Sequence, residues 1–348
     1  MANIVFTGIS ARSIMNWYPA LEILKNRGHR VEAMLLPHLP DPDSQNLDRH
    51  GYQRIGVLPI TEHLSRIDPA ESRSLAIRAR DIIQTAEPDM LLLTTCHAGP
   101  EAELAGLFME LSVRPTIVGC QHGFVQNWEV YWSNFHFDYF LVFGQYFQRF
   151  VPDTLRQRVL AAGLSKLDSV TPAPRPDFTI DQRPILFAAQ SIFTAELHRT
   201  LIDLAAIGDR EIVVRPHPEF RESFRKLAER FRILDVEEAL DEQIARCSLL
   251  VTTGSTVALE ALAAGIPVVV LPEQRGHFYQ DLGIVTDRVD AADILRLASL
   301  QSGPQWRLRV RDFLQQTTGS SHAERSVVCA DCIEAILVGP PQASPQEV

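Results

Sequence analysis

Short apolar runs recur along the chain, each closed by a glycine, a proline or a polar pair and each followed by a longer segment with helical spacing. Residues 4–7 read as a strand, 15–27 as a helix ended by Gly28-His29, and 31–36 as the next strand. Residues 37–51 are polar and proline-bearing, the pattern of a surface loop. A helix over 70–86 leads into a strand at 90–96, and a helix over 101–111 into a strand at 116–120. The run at 138–143 (DYFLVF) is short enough for another buried strand. Apolar strands alternating with helices of this length predict a parallel, doubly wound sheet covered on both faces.

The alternation breaks in TPAPRPDFTIDQRP (171–184), rich in proline and poor in apolar periodicity. It restarts with strands at 185–189, 211–215, 232–236, 249–252 and 267–271. Helices are expected near 195–207, 221–231, 256–264, 290–300, 306–315 and 324–337. At 348 residues the chain is too long for one ordinary core and suits two. The expected organisation is an N-terminal Rossmann-like domain over 1–165, a linker over 166–183, a C-terminal Rossmann-like domain over 184–338, and a disordered tail over 339–348. Ligands of such α/β proteins bind at the carboxyl ends of the strands, here expected in an interdomain cleft.

Net charge changes the picture in one respect. At −10 the chain lacks the concentrated basic surface that nucleic-acid binding needs, whereas a small phosphorylated ligand requires only a few local donors. The opening MANIVFTGIS reads as a strand and not as a signal peptide, and no apolar run reaches the ~18–20 residues that span a bilayer. Five scattered cysteines suggest reduced, buried thiols and a cytoplasmic setting; the CADC pair at 329–332 has no second pair to complete a zinc site.

Three segments carry chemistry. In EIVVRPHP (211–218), prolines on either side of His217 restrain the backbone at a strand's end, and the Arg215 fork with the imidazole suits a phosphate or diphosphate. In SLLVTTGSTVALEALAAGIPVVVLP (248–272), a turn at Gly254 joins strand to helix. Ser255 and Thr256 stand where an N-cap belongs, beside free amides that favour an anion. Glu260 lies one turn further along that apolar helix, where a carboxylate can accept ribose hydroxyls. In TIVGCQHGFVQNW, Gln121-His122-Gly123 follows a strand directly; Gly123 lets the backbone approach a ligand, and His122 can act as general base for a hydroxyl.

Lesser candidates for the cleft are Gly8 in TGIS, His97 in TTCHAG, and the strand-ending Gln190 and Ser191, which would line the nucleotide pocket. His29 and His38 read as structural. No metal-ligand spacing is present, so leaving-phosphate stabilisation is expected from arginine and helix-terminal amides without a metal or other cofactor.

LLVTTGSTVALEALAAGIPVVV with RGHFYQDLGIVTD resembles the C-terminal half of bacterial capsule polysaccharide synthesis proteins, among them transferases of Kdo from a CMP-linked donor. QHG, RPHP and AAGLSKLD (161–168) resemble CDP-glycerol glycerophosphotransferases. Gly254 stands where the family pattern has asparagine, and Phe278-Tyr279 stand in its "FY" place. The resemblance covers about residues 115–290. It implies the two-domain GT-B glycosyltransferase fold, a nucleotide-sugar or CDP-alcohol donor linked to cytidine, and His122, Arg215, His217, Ser255, Thr256 and Glu260 as site residues, with Tyr279 near the cleft. The acceptor would be a hydroxyl of a glycan, lipid-linked or small molecule in surface polysaccharide synthesis, with at most peripheral contact to the inner face of the plasma membrane. A UDP-GlcNAc 2-epimerase-like enzyme or hydrolase, or a non-catalytic nucleotide-sugar-binding protein, are the alternatives the residues leave open.

Overall fold

The computed structural model describes residues 1–8, 11–36, 56–58, 69–94, 99–124, 128–129, 132, 136–170, 183–189, 194–207, 210–217, 224, 227, 229–234, 240–272, 274–319 and 325–339. The expected loop over 37–51, most of the expected linker, His97, Gln190 and Ser191, most of the helix expected over 221–231, and nearly all of the expected tail lie outside these. The chain forms two compact units. Unit 1 is Met1–His122, Asn127–Asp168 and Gln315–Val348; unit 2 is Gly123–Gln126 and Ser169–Leu314.

Unit 1 is built on strands β1 (Asn3–Gly8), β2 (Arg30–Leu35), β3 (Gly56–Leu58), β4 (Met90–Leu93), β5 (Thr116–Cys120), β6 (Tyr139–Val142) and β7 (Val159–Ala161). They form one parallel sheet in the order β3-β2-β1-β4-β5-β6-β7. The short strands β3 and β7 add to those expected from the sequence. Each residue of β4 (MLLL) is buried, as a strand covered on both faces must be. The order reverses between β1 and β4: the chain first builds outward through β2 and β3, then resumes on the other side of β1.

At the β5–β6 seam the strands pack so closely that a Cβ on Gly119 would lie 2.5 Å from the Phe140 ring. Just before β6, Asp138 is held by a two-pronged pair with Arg114 and by the Ile117 amide at 2.8 Å. Burial pushes the Asp138 carboxyl up, but the Arg114 bond, the Ile117 amide and the charges of Arg114 and Arg158 outweigh it, leaving the group below its ordinary value. A depressed carboxyl contributes stability above its unfolded pKa and loses that contribution as pH falls through the folded one. Asp138→Asn is therefore expected to lower the melting temperature at pH 7, with the deficit shrinking below about pH 4. Melting curves from pH 7 to 2.5 check this; a constant deficit would contradict the ionic account.

Among the described residues, six α-helices belong wholly to unit 1: α1 (Ala11–Met15), α2 (Tyr18–Asn26), α3 (Pro69–Thr85), α4 (Gly99–Met109), α5 (Gln145–Gln148) and the C-terminal Arg325–Val338. The last of these corrects the domain boundary expected at 338. The described residues 315–319 and 325–338 pack on the rest of unit 1, where three features fit. A Cβ on Gly144 would clash with the Gln316 carbonyl, so only glycine lets the two backbones meet. Gly319 approaches Gly163 in the same way, and the Leu164 amide donates to the Thr318 carbonyl at 3.0 Å. Arg325 and Asp168 form a buried ion pair at 3.4 Å, with the Ser326 amide and hydroxyl also donating to Asp168. Further along that helix, Arg27 meets Asp331 and Glu334, and His29, whose Nδ1 accepts from the Ala2 amide, meets Glu334 at 3.0 Å. Burial raises the thiol pKa of Cys329 and Cys332 above the ordinary value.

Unit 2 carries β8 (Ile185–Ala189), β9 (Ile212–Pro216), β10 (Arg232–Ile233), β11 (Leu249–Thr252) and β12 (Val268–Val270) in the parallel order β10-β9-β8-β11-β12. Here the reversal falls between β8 and β11. Among the described residues its α-helices are α6 (Ala195–Ala206), α7 (Leu240–Arg246), α8 (Val257–Ala263), α9 (Ala291–Ser299) and most of α10 (Gly303–Thr318), which makes the helix Arg325–Val338 α11. Phe187, Val214, Val251, Leu201 and Ile294 lie in one core formed by the sheet, α6 and α9. Thr194 caps α6 and Asp290 caps α9, each accepting a first-turn amide.

Candidate active site

In unit 1 the candidate base stands at the carboxyl edge of the sheet. His122 follows β5 by two residues and is half-buried. Its Nδ1 lies 3.0 Å from the Thr94 carbonyl at the end of β4. A carbonyl only accepts, so Nδ1 carries the proton and the neutral ring keeps its lone pair on Nε2. The His122 carbonyl accepts from Asn16 Nδ2 at 3.0 Å. Asn16 is itself buried, and its own carbonyl accepts from the Ser165 hydroxyl and the Lys166 amide. The ring and backbone of His122 are thus tied to different elements. Asn16 carries no sequence signal; an asparagine in IMNWY looks like an ordinary helix-end residue.

The neighbours of His122 differ from expectation. Gln121, expected in a ligand cleft, has no exposure: its side-chain carbonyl accepts from the Phe143 amide at 2.9 Å, stitching β5 to β6. Gly123 is outside the left-handed region, so no sharp turn demands glycine, and a Cβ there would meet no atom within 4 Å. The residue leaves open space beside His122. Gly8 has the opposite explanation: a Cβ would lie 2.7 Å from Ile14 and Ser13, so the glycine admits the packing of α1.

In unit 2, Arg215 pairs with Ala188, and Ala188 pairs with Thr252. Arg215 and Thr252 therefore share one row across the sheet, two strands or ~10 Å apart, at the edge where the strand order reverses. Arg215 and His217 are half-buried there, and the His217 amide extends the ladder to the Ala189 carbonyl at 2.9 Å. Beyond Thr252, Gly254 adopts φ +96°, a conformation glycine reaches without strain. The Thr252 hydroxyl accepts from the Ser255 amide, and the Ser255 hydroxyl accepts from the Val257 amide, both at 3.3 Å. The cap position of α8 is Thr256, whose side chain makes no capping bond; Ser255 does this from one residue earlier.

Glu260 is half-buried on α8. Complete burial, joined by the charge of Glu260, pushes the Tyr279 phenol well above its usual range. Tyr279, expected to line the cleft, is instead a fully buried prop. Its hydroxyl donates to the Ser255 carbonyl at 2.7 Å, and its ring packs edge-on against Phe124, which also stacks on Phe278. Among the described residues no group of His, Cys, Asp and Glu could hold a metal ion, and no helix is long and apolar enough to cross a membrane.

Solved structures share this architecture over the whole chain. A "putative UDP-N-acetylglucosamine 2-epimerase" from Listeria monocytogenes superposes with TM-score 0.67 at 12% identity, covering 100% of both chains. The UDP-GlcNAc 2-epimerase of Methanocaldococcus jannaschii, solved with UDP-GlcNAc and UDP, gives 0.66 at 11%, covering 97% of this chain and 99% of that one. The "Glycotransferase of kitacinnamycin" gives 0.62 at 16%, covering 96% and 98%. At such identities the likeness is one of fold: two Rossmann-like doubly wound domains of the GT-B class. No curated protein sequence matches the chain. Residues 59–276, more than half the chain, match a family model, and the chain belongs to that family, "Putative glycosyltransferase (DUF6716)".

Proposed function

We propose that the chain transfers a group from a pyrimidine-nucleotide-activated donor, bound in unit 2, to an acceptor hydroxyl whose proton passes to His122. The observation that carries the reading is the shared edge of the unit 2 sheet, where Arg215, His217 and the Gly254–Thr256 turn flank the point of strand reversal. Open α/β sheets bind ligands at such points. In this reading Arg215 and His217 hold the donor phosphate, the amides at the start of α8 add to them, and Glu260 accepts the ribose hydroxyls.

As the acceptor oxygen bonds to the activated carbon, its proton moves to Nε2 of His122. The bond from that carbon to the donor phosphate breaks, and the nucleotide leaves with the negative charge that Arg215 stabilises. No resident cofactor is needed. The family supports glycosyl transfer; the cytidine-linked donor suggested by the sequence and the uridine ligand of the M. jannaschii epimerase structure both favour a pyrimidine. Surface polysaccharide synthesis on the cytoplasmic side is the proposed setting.

A thermal-shift panel of CMP, CDP, UMP, UDP, GDP and ADP tests this. The cognate nucleotide at 100 times its Kd should stabilise the fold by ~2.7 kcal/mol, and Glu260→Ala should weaken its binding about tenfold or more. Equal, negligible shifts across the panel would remove the donor assignment. An epimer or free sugar formed from the matching donor without any acceptor would replace transfer by the epimerase or hydrolase reading.

A further inference from the structure

Glu101 sits in the first turn of α4 with no exposure to solvent. A carboxylate so placed is costly unless hydrogen bonds replace its water. Three donors converge on it: the Thr7 hydroxyl, the Thr94 amide at 3.1 Å and the Thr94 hydroxyl at 3.2 Å. All three donate, the arrangement that suits an ionised carboxylate, which only accepts. Thr7 lies in β1 and Thr94 directly follows β4, the two strands between which the order of this sheet reverses. Thr94 also gives its carbonyl to Nδ1 of His122.

One residue is thus gripped at its amide and hydroxyl by Glu101 while its carbonyl receives the His122 ring. We propose that Glu101 is the positioning residue of His122, fixing Thr94 so that its carbonyl selects the Nδ1-protonated tautomer and leaves Nε2 as the accepting nitrogen. The inference rests on the reading of His122 as proton acceptor. Glu101 acts through Thr94 and touches no substrate. With the anchor gone, Thr94 can turn its carbonyl away and both neutral tautomers populate. In the fraction carrying the proton on Nε2, the ring cannot accept another.

The test is ring-nitrogen NMR of protein labelled with 15N-histidine, the His122 signals being assigned as those lost in His122→Gln, together with steady-state kinetics. Wild type should show a single Nδ1–H tautomer. Glu101→Leu, which keeps bulk and removes the acceptors, should show both tautomers and a ~10–100-fold fall in turnover with nucleotide affinity unchanged. Glu101→Gln, whose amide carbonyl can still accept from Thr94, should restore the single tautomer and turnover to within ~3-fold. If Glu101→Leu does not fold, Thr94→Val, which deletes the hydroxyl link, should populate the second tautomer. A single Nδ1–H tautomer in the folded Leu or Val variant overturns the proposal, as does equal loss in Leu and Gln. Tautomer behaviour as expected in a protein that transfers nothing would support Glu101 as the positioner and remove the transferase reading instead.

Discussion

His122→Ala is expected to lower turnover by at least ~10²-fold while leaving the affinity for the cognate nucleotide within about twofold. The asymmetry comes from where the groups lie. The imidazole stands in unit 1 at the end of β5, whereas Arg215, His217 and Glu260 all belong to unit 2. Its tautomer is already set by the Thr94 carbonyl, so the variant loses an acceptor nitrogen and not a structural link of the proposed nucleotide site. The ring is half-buried and its backbone carbonyl remains held by Asn16, so the fold should melt normally. Initial rates of nucleotide release with the donor chosen by the panel, beside calorimetric Kd values, check this. Turnover within threefold of wild type would show that His122 takes no proton.

Arg325→Ala should cost about 3 kcal/mol, appearing as a fall of roughly 6–12 °C in the melting transition of unit 1. The Arg325 and Asp168 side chains are only 6% and 11% exposed, so little solvent screens the pair. Burial pulls the guanidinium pKa below its ordinary value and Asp168 partly restores it, the balance expected of a desolvated ion pair. Removing the arginine leaves Asp168 to the Ser326 amide and hydroxyl and also deletes the Arg325 bond to the Thr318 hydroxyl at 3.2 Å. Arg325→Lys keeps the charge without the fork and should fall between the two. Differential scanning calorimetry at neutral pH reads the effect; an unchanged transition would mean that the glycine contacts alone hold this segment.

Much of the architecture is legible in the sequence because a strand buried on both faces must be a short apolar run. MLLL, TIVGC and LLVT can hardly be anything else. The destination of the last two helices is not legible. The apolar spacing of GPQWRLRVRDFLQQTT states that one face is covered, but not by which unit. The deciding contacts, Gly144 against Gln316 and Gly163 against Gly319, join residues far apart in the chain that carry no local signal.

The candidate site divides in the same way. RPHP and TTGST stand out because prolines and a left-handed glycine constrain the local backbone. Gln121 and Tyr279 attract notice only through the motifs beside them, and their burial shows that they brace those motifs from behind. Glu101 escapes notice for the opposite reason: an acidic residue in PEAELAG looks like a solvated first turn. Only the fold reveals that three donors surround it.

The route of the chain through unit 1 has a temporal consequence. Unit 2 is fully encoded by Leu314, so it can condense while the ribosome is still adding the residues beyond it. Unit 1 is still missing a helix at that stage, because α11, which pairs Arg325 with Asp168 and packs on α2, is translated afterwards. During synthesis the unit whose strands emerge earlier is therefore the unit completed later.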